Sequence, residues 1–170
     1  MTTRELIVDG YNVLHAVPRY RALVQRDLAA ARDRLVNDVA SFAAGEWRAA
    51  VVFDGTSHVE DAARPDVAGV RVLYSPEGVD ADTLVEELAR AVRDRGGEAV
   101  VVTSDAITQQ TVFGGKVVRM SAREFGAELA GEAADRDGHA PAARPGSALD
   151  GRIDATTRSA LLRLRDRRGE

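Results

Sequence analysis

The chain has 170 residues, 45% of them apolar and 29% charged, with 23 Lys+Arg against 27 Asp+Glu and a formal net charge of −4. That length suits one domain of ordinary size, and the composition excludes wholesale disorder, collagen-like repeats and fibrous rods. No run of about 18 apolar residues is present, and Leu6-Ile7-Val8 is too short for a signal-peptide core, so a soluble, cytoplasmic protein is expected.

The first element is Leu6-Ile7-Val8, which runs into Asp9. Short Val/Ile/Leu runs of this kind are the pattern of parallel strands buried on both faces. Asp27 is a good helix N-cap, followed by apolar positions at Leu28, Ala31, Leu35, Val39 and Phe42, with Gly45 as the stop. A second strand, Ala50-Val51-Val52-Phe53, runs into Asp54, and Val70–Tyr74 is a weaker third. Ala81, Leu84, Val85, Leu88, Ala91 and Val92 mark a helix ending at Gly96-Gly97. Ala99-Val100-Val101-Val102 then leads through Thr103-Ser104 into Asp105, residues 116–120 form a fifth, weaker strand, and shorter helices are expected after Asp105 and Ser121.

Strands alternating with helices predict an α/β fold with a mostly parallel central sheet and helices on both faces. From residue 131 to 153 the chain is rich in Gly, Ala and Pro without an apolar period and reads as a flexible linker. Residues 154–170 are compatible with a basic helix or tail, six Arg standing against three acids from Arg152 onward. The expected division is a domain over 1–130, a linker over 131–153 and the basic segment over 154–170.

The chain has no Cys and only His15, His58 and His139, which are widely spaced. Disulfides, thiolate catalysis and Cys- or His-dominated zinc sites are therefore set aside, and any metal must be held by oxygen, which points to Mg²⁺ or Mn²⁺. The net acidity argues against coating nucleic acid by bulk charge, though not against a local patch. Lys116 is the single lysine among the 23 basic residues, a bias that codon usage explains as well as phosphate recognition does.

In open parallel sheets ligands bind beyond the carboxyl ends of the strands. Asp9, Asp54 and Asp105 follow three separate strands, and Asp82 lies in the first turn of the helix after the third. Clustered carboxylates repel one another unless a cation compensates them, so the joint pattern points to a divalent-metal site. Asn12, three residues after Asp9, is spaced to orient a ligand, water or phosphate oxygen. Each acid also has a structural reading: Asp105 as a helix cap, Asp82 as complement to a helix dipole with Asp80 as an alternative ligand, and Asp54-Gly55 as a turn.

VDGYNVLHA, VVFDG, GVDADTLVEEL and VVTSDAITQQTVFGGKVVRMSAREF, in that order over residues 5–129, resemble the YacP-like branch of the NYN domain proteins. The resemblance implies a PIN-like three-layer α/β sandwich and a Mg²⁺- or Mn²⁺-dependent endoribonuclease. It implies metal or catalytic roles for Asp9, Asn12, Asp82 and Asp105, with Asp54 as a further ligand. It also implies messenger RNA as substrate and the ribosome as a partner. Family members often carry Glu-Thr-Ala-Asp-Glu where this chain has Val79-Asp80-Ala81-Asp82-Thr83, so the acid after Asp82 is missing. The segment after Gly131 has no counterpart in the motifs.

On that reading a metal-activated water attacks the scissile phosphate in line, leaving a 5′-phosphate and a 3′-hydroxyl. The lack of paired His gives little support to a mechanism of the RNase A type. Tyr11 and His15 are candidates for stacking on unpaired bases, and Arg19, Arg21, Thr103 and Ser104 for contacting the RNA strand. Packing over the first strand is the competing role for Tyr11, and a solvated loop that for the two arginines. Leu161, Leu162 and Leu164 among the tail arginines suit either an amphipathic basic helix on ribosomal RNA or a frayed surface helix. One alternative is a noncatalytic RNA-binding adaptor on the same fold. Another is a phosphoacceptor receiver with Asp54 as acceptor, Thr103 or Ser104 as hydroxyl and Lys116 as cation, although receivers carry adjacent acids where this chain has Asp9-Gly10. A haloacid dehalogenase reading of FDGT fails because Val52 stands where the nucleophilic Asp is needed.

Overall fold

The Val-rich runs fold as neighbours in one sheet. In the computed structural model, which describes residues 4–55, 66–103 and 116–137, the chain runs β1 (Arg4–Asp9), α1 (Gly10–Ala16), α2 (Pro18–Val24), α3 (Leu28–Ala43), β2 (Arg48–Phe53), β3 (Val70–Tyr74), α4 (Ala81–Asp94), β4 (Glu98–Thr103), β5 (Val117–Ser121) and α5 (Ala122–Asp137). All four strand pairings are parallel, in the order β3-β2-β1-β4-β5. Val8 pairs with Val51 on one side and Val102 on the other, so β1 sits at the centre, buried from Glu5 to Asp9.

Alternation along each strand feeds two cores. Leu6, Val8, Val51, Phe53, Val100 and Val102 join α1, α2, α3 and α5 on one face. Ile7, Val52, Ala99, Val101 and Val117 meet Ala81, Val85, Ala89 and Val92 of α4 on the other. The three-layer α/β expectation therefore holds. The chain turns to β2 on one side of β1 and returns to β4 on the other, so the topological switch point lies between the carboxyl ends of β1 and β4.

Two helices depart from expectation: α1 and α2 follow β1 directly, where no helix is predicted. Each has seven residues, too few to show an apolar period. They are set by their first residues instead, Asp9 capping α1 and Pro18 standing at the start of α2. The helix after Ser121 is also longer than expected. Ser121 and Glu124 form a reciprocal capping box, Ser121 N donating to Glu124 Oε2 at 2.9 Å and Glu124 N to Ser121 Oγ at 3.2 Å. From that start α5 runs for 16 residues to Asp137, so residues 131–137 are helical rather than the beginning of a linker. Ser104, Asp105, the helix expected after it and residues 138–170 lie outside the described residues. Among the described residues, no helix is long and apolar enough to cross a membrane.

The amino-terminal edge of the sheet holds two buried acids, Glu5 and Glu98. Glu5 pairs with Arg95 and, at 4.0 Å, with Arg71; Glu98 pairs with Lys116 at 3.5 Å and Arg4 at 3.9 Å. Lys116 precedes β5 and so stands at the end of the sheet opposite Asp54. The receiver reading therefore lacks its cation where it needs one.

Candidate active site

At the carboxyl edge the acids come from three elements. Asp9 ends β1 and is 4% exposed; Asp54 follows β2 and Asp82 lies in the first turn of α4, both exposed. Asp9 is doubly bound by Asn12, whose backbone N donates to Oδ1 at 3.1 Å and whose Nδ2 donates to Oδ2 at 2.6 Å. One side chain thus starts α1 and is held in place by the amide three residues on. Gly10 lets that helix leave the strand, since a Cβ there would stand 2.3 Å from the Phe53 ring. Gly55 is required in the same way, because its Cβ would meet the Ser75 carbonyl oxygen at 2.0 Å.

Asp54 reaches across to α4, where Oδ1 accepts from Ala81 N at 2.6 Å. Asp80 is the N-cap of that helix, accepting from Thr83 N at 2.7 Å, and the hydrogen bonds from Thr83 hold its exposed carboxyl below the usual range. Asp82, in the first turn, has a long 3.4 Å contact from the Thr103 hydroxyl at the end of β4. Asp54 is thereby tied to α4, and α4 through Asp82 to β4, one of the two strands that flank the switch point.

The electrostatics follow from burial. Desolvation pushes the Asp9 carboxyl above its ordinary pKa; the Asn12 hydrogen bonds pull it down, and the charges of Asp54 and Asp82 push it up again. Among the described residues no basic side chain pairs with any of these three carboxylates. Nor do three or more His, Asp or Glu draw close enough to form a metal-binding group among them, Asp105 lying outside the described residues. The donors nevertheless suit a hard divalent cation: all are oxygen, and Asp9 is buried, oriented and unneutralised. Mg²⁺ keeps several waters and is commonly held by only one or two carboxylates plus substrate phosphate.

The residues expected to grip substrate fall in two places. Tyr11 packs edge-on against Phe53 of β2 at 5.3 Å, and its ring lies beside that of exposed His15 at 6.3 Å. Arg19 is committed internally: Nη2 donates to Tyr20 Oη at 2.6 Å and pairs with Asp38 at 3.1 Å, while Tyr20 Oη donates to Asp38 at 2.6 Å. Burial, and then Asp38, push the Tyr20 hydroxyl pKa up. Arg21 closes the end of α1, Nε donating to the His15 carbonyl at 2.9 Å. Both arginines line a groove of about 600 Å³ between the α1–α2 junction and α5. Arg123 lines it too, a residue that sequence reasoning missed because its basic position appears only once α5 is laid against α1.

The sequence matches the family model of the YacP-like NYN domain over residues 6–166. It is 33% identical over 123 residues to the Bacillus subtilis (strain 168) protein described as "Uncharacterized protein YacP", covering 71% of each chain. The crystal structure of Rae1 (YacP) from Bacillus subtilis superposes with a TM-score of 0.61 at 28% identity, covering 97% of this chain and 95% of that one. A point mutant of Rae1 gives a TM-score of 0.60 at 33% identity, covering 79% and 78%. The family match continues past residue 129, where the sequence motifs end, and includes most of the basic tail.

Proposed function

This chain belongs to the YacP-like NYN domain family, and on that premise we propose that it is a divalent-cation-dependent endoribonuclease acting on single-stranded messenger RNA, with the ribosome as a partner. The family and its nuclease-type fold support an RNA-related, nuclease-like function. The observation that carries the finer reading is the buried, uncompensated Asp9 at the switch point, with Asp54 and Asp82 near enough to raise its pKa.

Asp9 is the principal ligand in this proposal, Asp54 and Asp82 are the further candidates at the same edge, and Asp105 joins them by the family motif. Bound there, Mg²⁺ or Mn²⁺ supplies activation of a water and neutralisation of charge growing on the phosphate. Asn12 fixes the Asp9 carboxylate through both its oxygens, so the ligand is oriented before substrate arrives. Asp54 anchors the first turn of α4 and thereby sets the position of Asp82. Thr103, at the end of β4, lies where a strand crossing the edge would pass, and Ser104 follows it. In-line attack by water would form a bond to phosphorus as the bond to the 3′ oxygen breaks, and a proton passing to that oxygen would leave a 5′-phosphate and a 3′-hydroxyl. Arg21 and Arg123 border the groove along which the flanking phosphates run, while Arg19 holds the groove wall through Asp38.

A noncatalytic RNA-binding adaptor is the second reading, favoured by the lack of a three-carboxylate group among the described residues. The deciding experiment compares wild type, Asp9→Asn and Asp82→Asn on naked and translated RNA with Mg²⁺, Mn²⁺ or EDTA. The nuclease reading expects cleavage by wild type with cation alone. Wild-type cleavage persisting in EDTA overturns the cation requirement, and cellular function preserved in Asp9→Asn favours the adaptor.

A further inference from the structure

A second cavity lies on the α3 face of the sheet, beside the acidic edge. It measures about 280 Å³ and is lined by Phe53 and Tyr74 from the ends of β2 and β3, by Val67 and Val72, and by Arg32, Asp33, Val36 and Asn37. We propose that this cavity receives one nucleobase of the RNA strand and gives the protein a base preference beside the scissile phosphate. The proposal rests on the nuclease reading above for the identity of the ligand.

Four observations carry it. First, the walls combine flat aromatic and apolar surface with convergent polar groups, the composition that reads a splayed-out base by stacking and by hydrogen bonds to its edge. Half-buried Tyr74 presents the aromatic surface, backed by the fully buried Phe53 ring 5.8 Å away and 32° from parallel. Second, Tyr74 Oη is buried and makes no hydrogen bond among the described residues. A buried hydroxyl without a partner costs stability, so the Tyr74 end of the cavity holds a polar group left unsatisfied. Third, the Arg32 guanidinium lies over the rings of Tyr11 and Phe53, at 5.9 Å and 6.0 Å from their centres, so a planar cation borders the cavity on the side of α1. Fourth, the volume falls just below the range of about 300–1,000 Å³ usual for larger ligands and suits a single ring system.

Position links the cavity to the chemistry. Phe53 immediately precedes Asp54, and Tyr11 lies two residues after Asp9. A strand whose phosphate sits at the acidic edge therefore has a neighbouring base within reach of the cavity. The groove bordered by Arg21 and Arg123 contacts phosphates without regard to sequence, whereas this cavity presents the fixed donors and acceptors that discriminate bases.

The test measures binding in EDTA, where neither cation nor turnover enters. Fluorescein-labelled homopentamers of rA, rC, rG and rU are titrated by anisotropy against wild type, Tyr74→Phe and Asn37→Trp. Asn37 is exposed on α3, so a Trp there fills the mouth without entering the core, and Tyr74→Phe removes only the hydroxyl. Unchanged melting temperatures establish that both variants fold. One homopolymer is expected to bind at least about fivefold more tightly than the others, with the preference lost in Asn37→Trp and reduced at least about threefold in Tyr74→Phe. Four homopolymers bound alike by wild type, or a preference intact in either variant, overturns the proposal. Because cation is absent, failed cleavage in the earlier experiment leaves this result standing, and equal binding here leaves the nuclease reading standing.

Discussion

The two edges of the sheet bury acids on opposite terms. At the amino-terminal edge Glu5 and Glu98 are each 5% exposed or less, and each is met by two cationic side chains. At the carboxyl edge Asp9 is just as buried, yet its hydrogen bonds come from the neutral Asn12 and the charges within reach are those of Asp54 and Asp82. A buried carboxylate is costly unless compensated. One edge solves this within the chain, and the other leaves the compensation to be supplied from outside. Burial of an acid is thus uninformative by itself; what surrounds it separates scaffold from site.

The largest expected effect breaks the symmetry of the two buried acids. Asp9→Asn lowers cation-dependent RNA cleavage by more than about a hundredfold, while Glu5→Gln leaves the rate per folded molecule unchanged; single-turnover assays on both variants check this. Next is Asn12→Ala, which leaves the Asp9 cap acceptor in place but frees the carboxylate to rotate, and lowers cleavage by about 10- to 100-fold. Stability reverses the ranking. Glu5→Ala destabilises the fold by about 1–2 kcal/mol, a figure discounted because Arg71 and Arg95 are 41% and 51% exposed. Asp9→Asn in EDTA melts no lower than wild type, since it removes a buried charge and retains a cap oxygen.

The pH dependence has a definite sign. Because burial raises the Asp9 pKa above its unfolded value, the folded state takes up a proton more readily than the unfolded one. In EDTA this group contributes stability below the unfolded pKa that is lost as pH rises through the folded pKa. Urea melts of wild type and Asp9→Asn across the acid range should differ by that slope, and parallel curves would contradict it. The smallest effect belongs to the groove: Arg123→Ala weakens RNA binding across sequences and reduces the salt slope by about 1, read from affinities at several salt concentrations.

How much was legible in the sequence divides along similar lines. The central strands could be read because parallel burial leaves continuous Val/Ile/Leu runs, and α3 and α4 because each is long enough to show its apolar face. Helices α1 and α2 could not, for a seven-residue helix is specified by Asp9 and Pro18 rather than by periodicity. Among the site residues, Asp9 and Asn12 were legible as a pair because a three-residue spacing is local. The cross-chain bond from Ala81 N to Asp54 was not, nor was the placing of Arg32 over Tyr11 and Phe53, since both depend on how distant elements pack. Lys116 illustrates the converse: type and spacing made it a candidate for the site, and only strand direction shows that it serves Glu98.

Mn²⁺ binding by isothermal titration calorimetry, on wild type, Asp9→Asn and Glu5→Gln, tests the contrast between the edges most directly. Saturable binding by wild type and Glu5→Gln, lost in Asp9→Asn, is the predicted result; binding that survives in Asp9→Asn, or none by wild type, would contradict it.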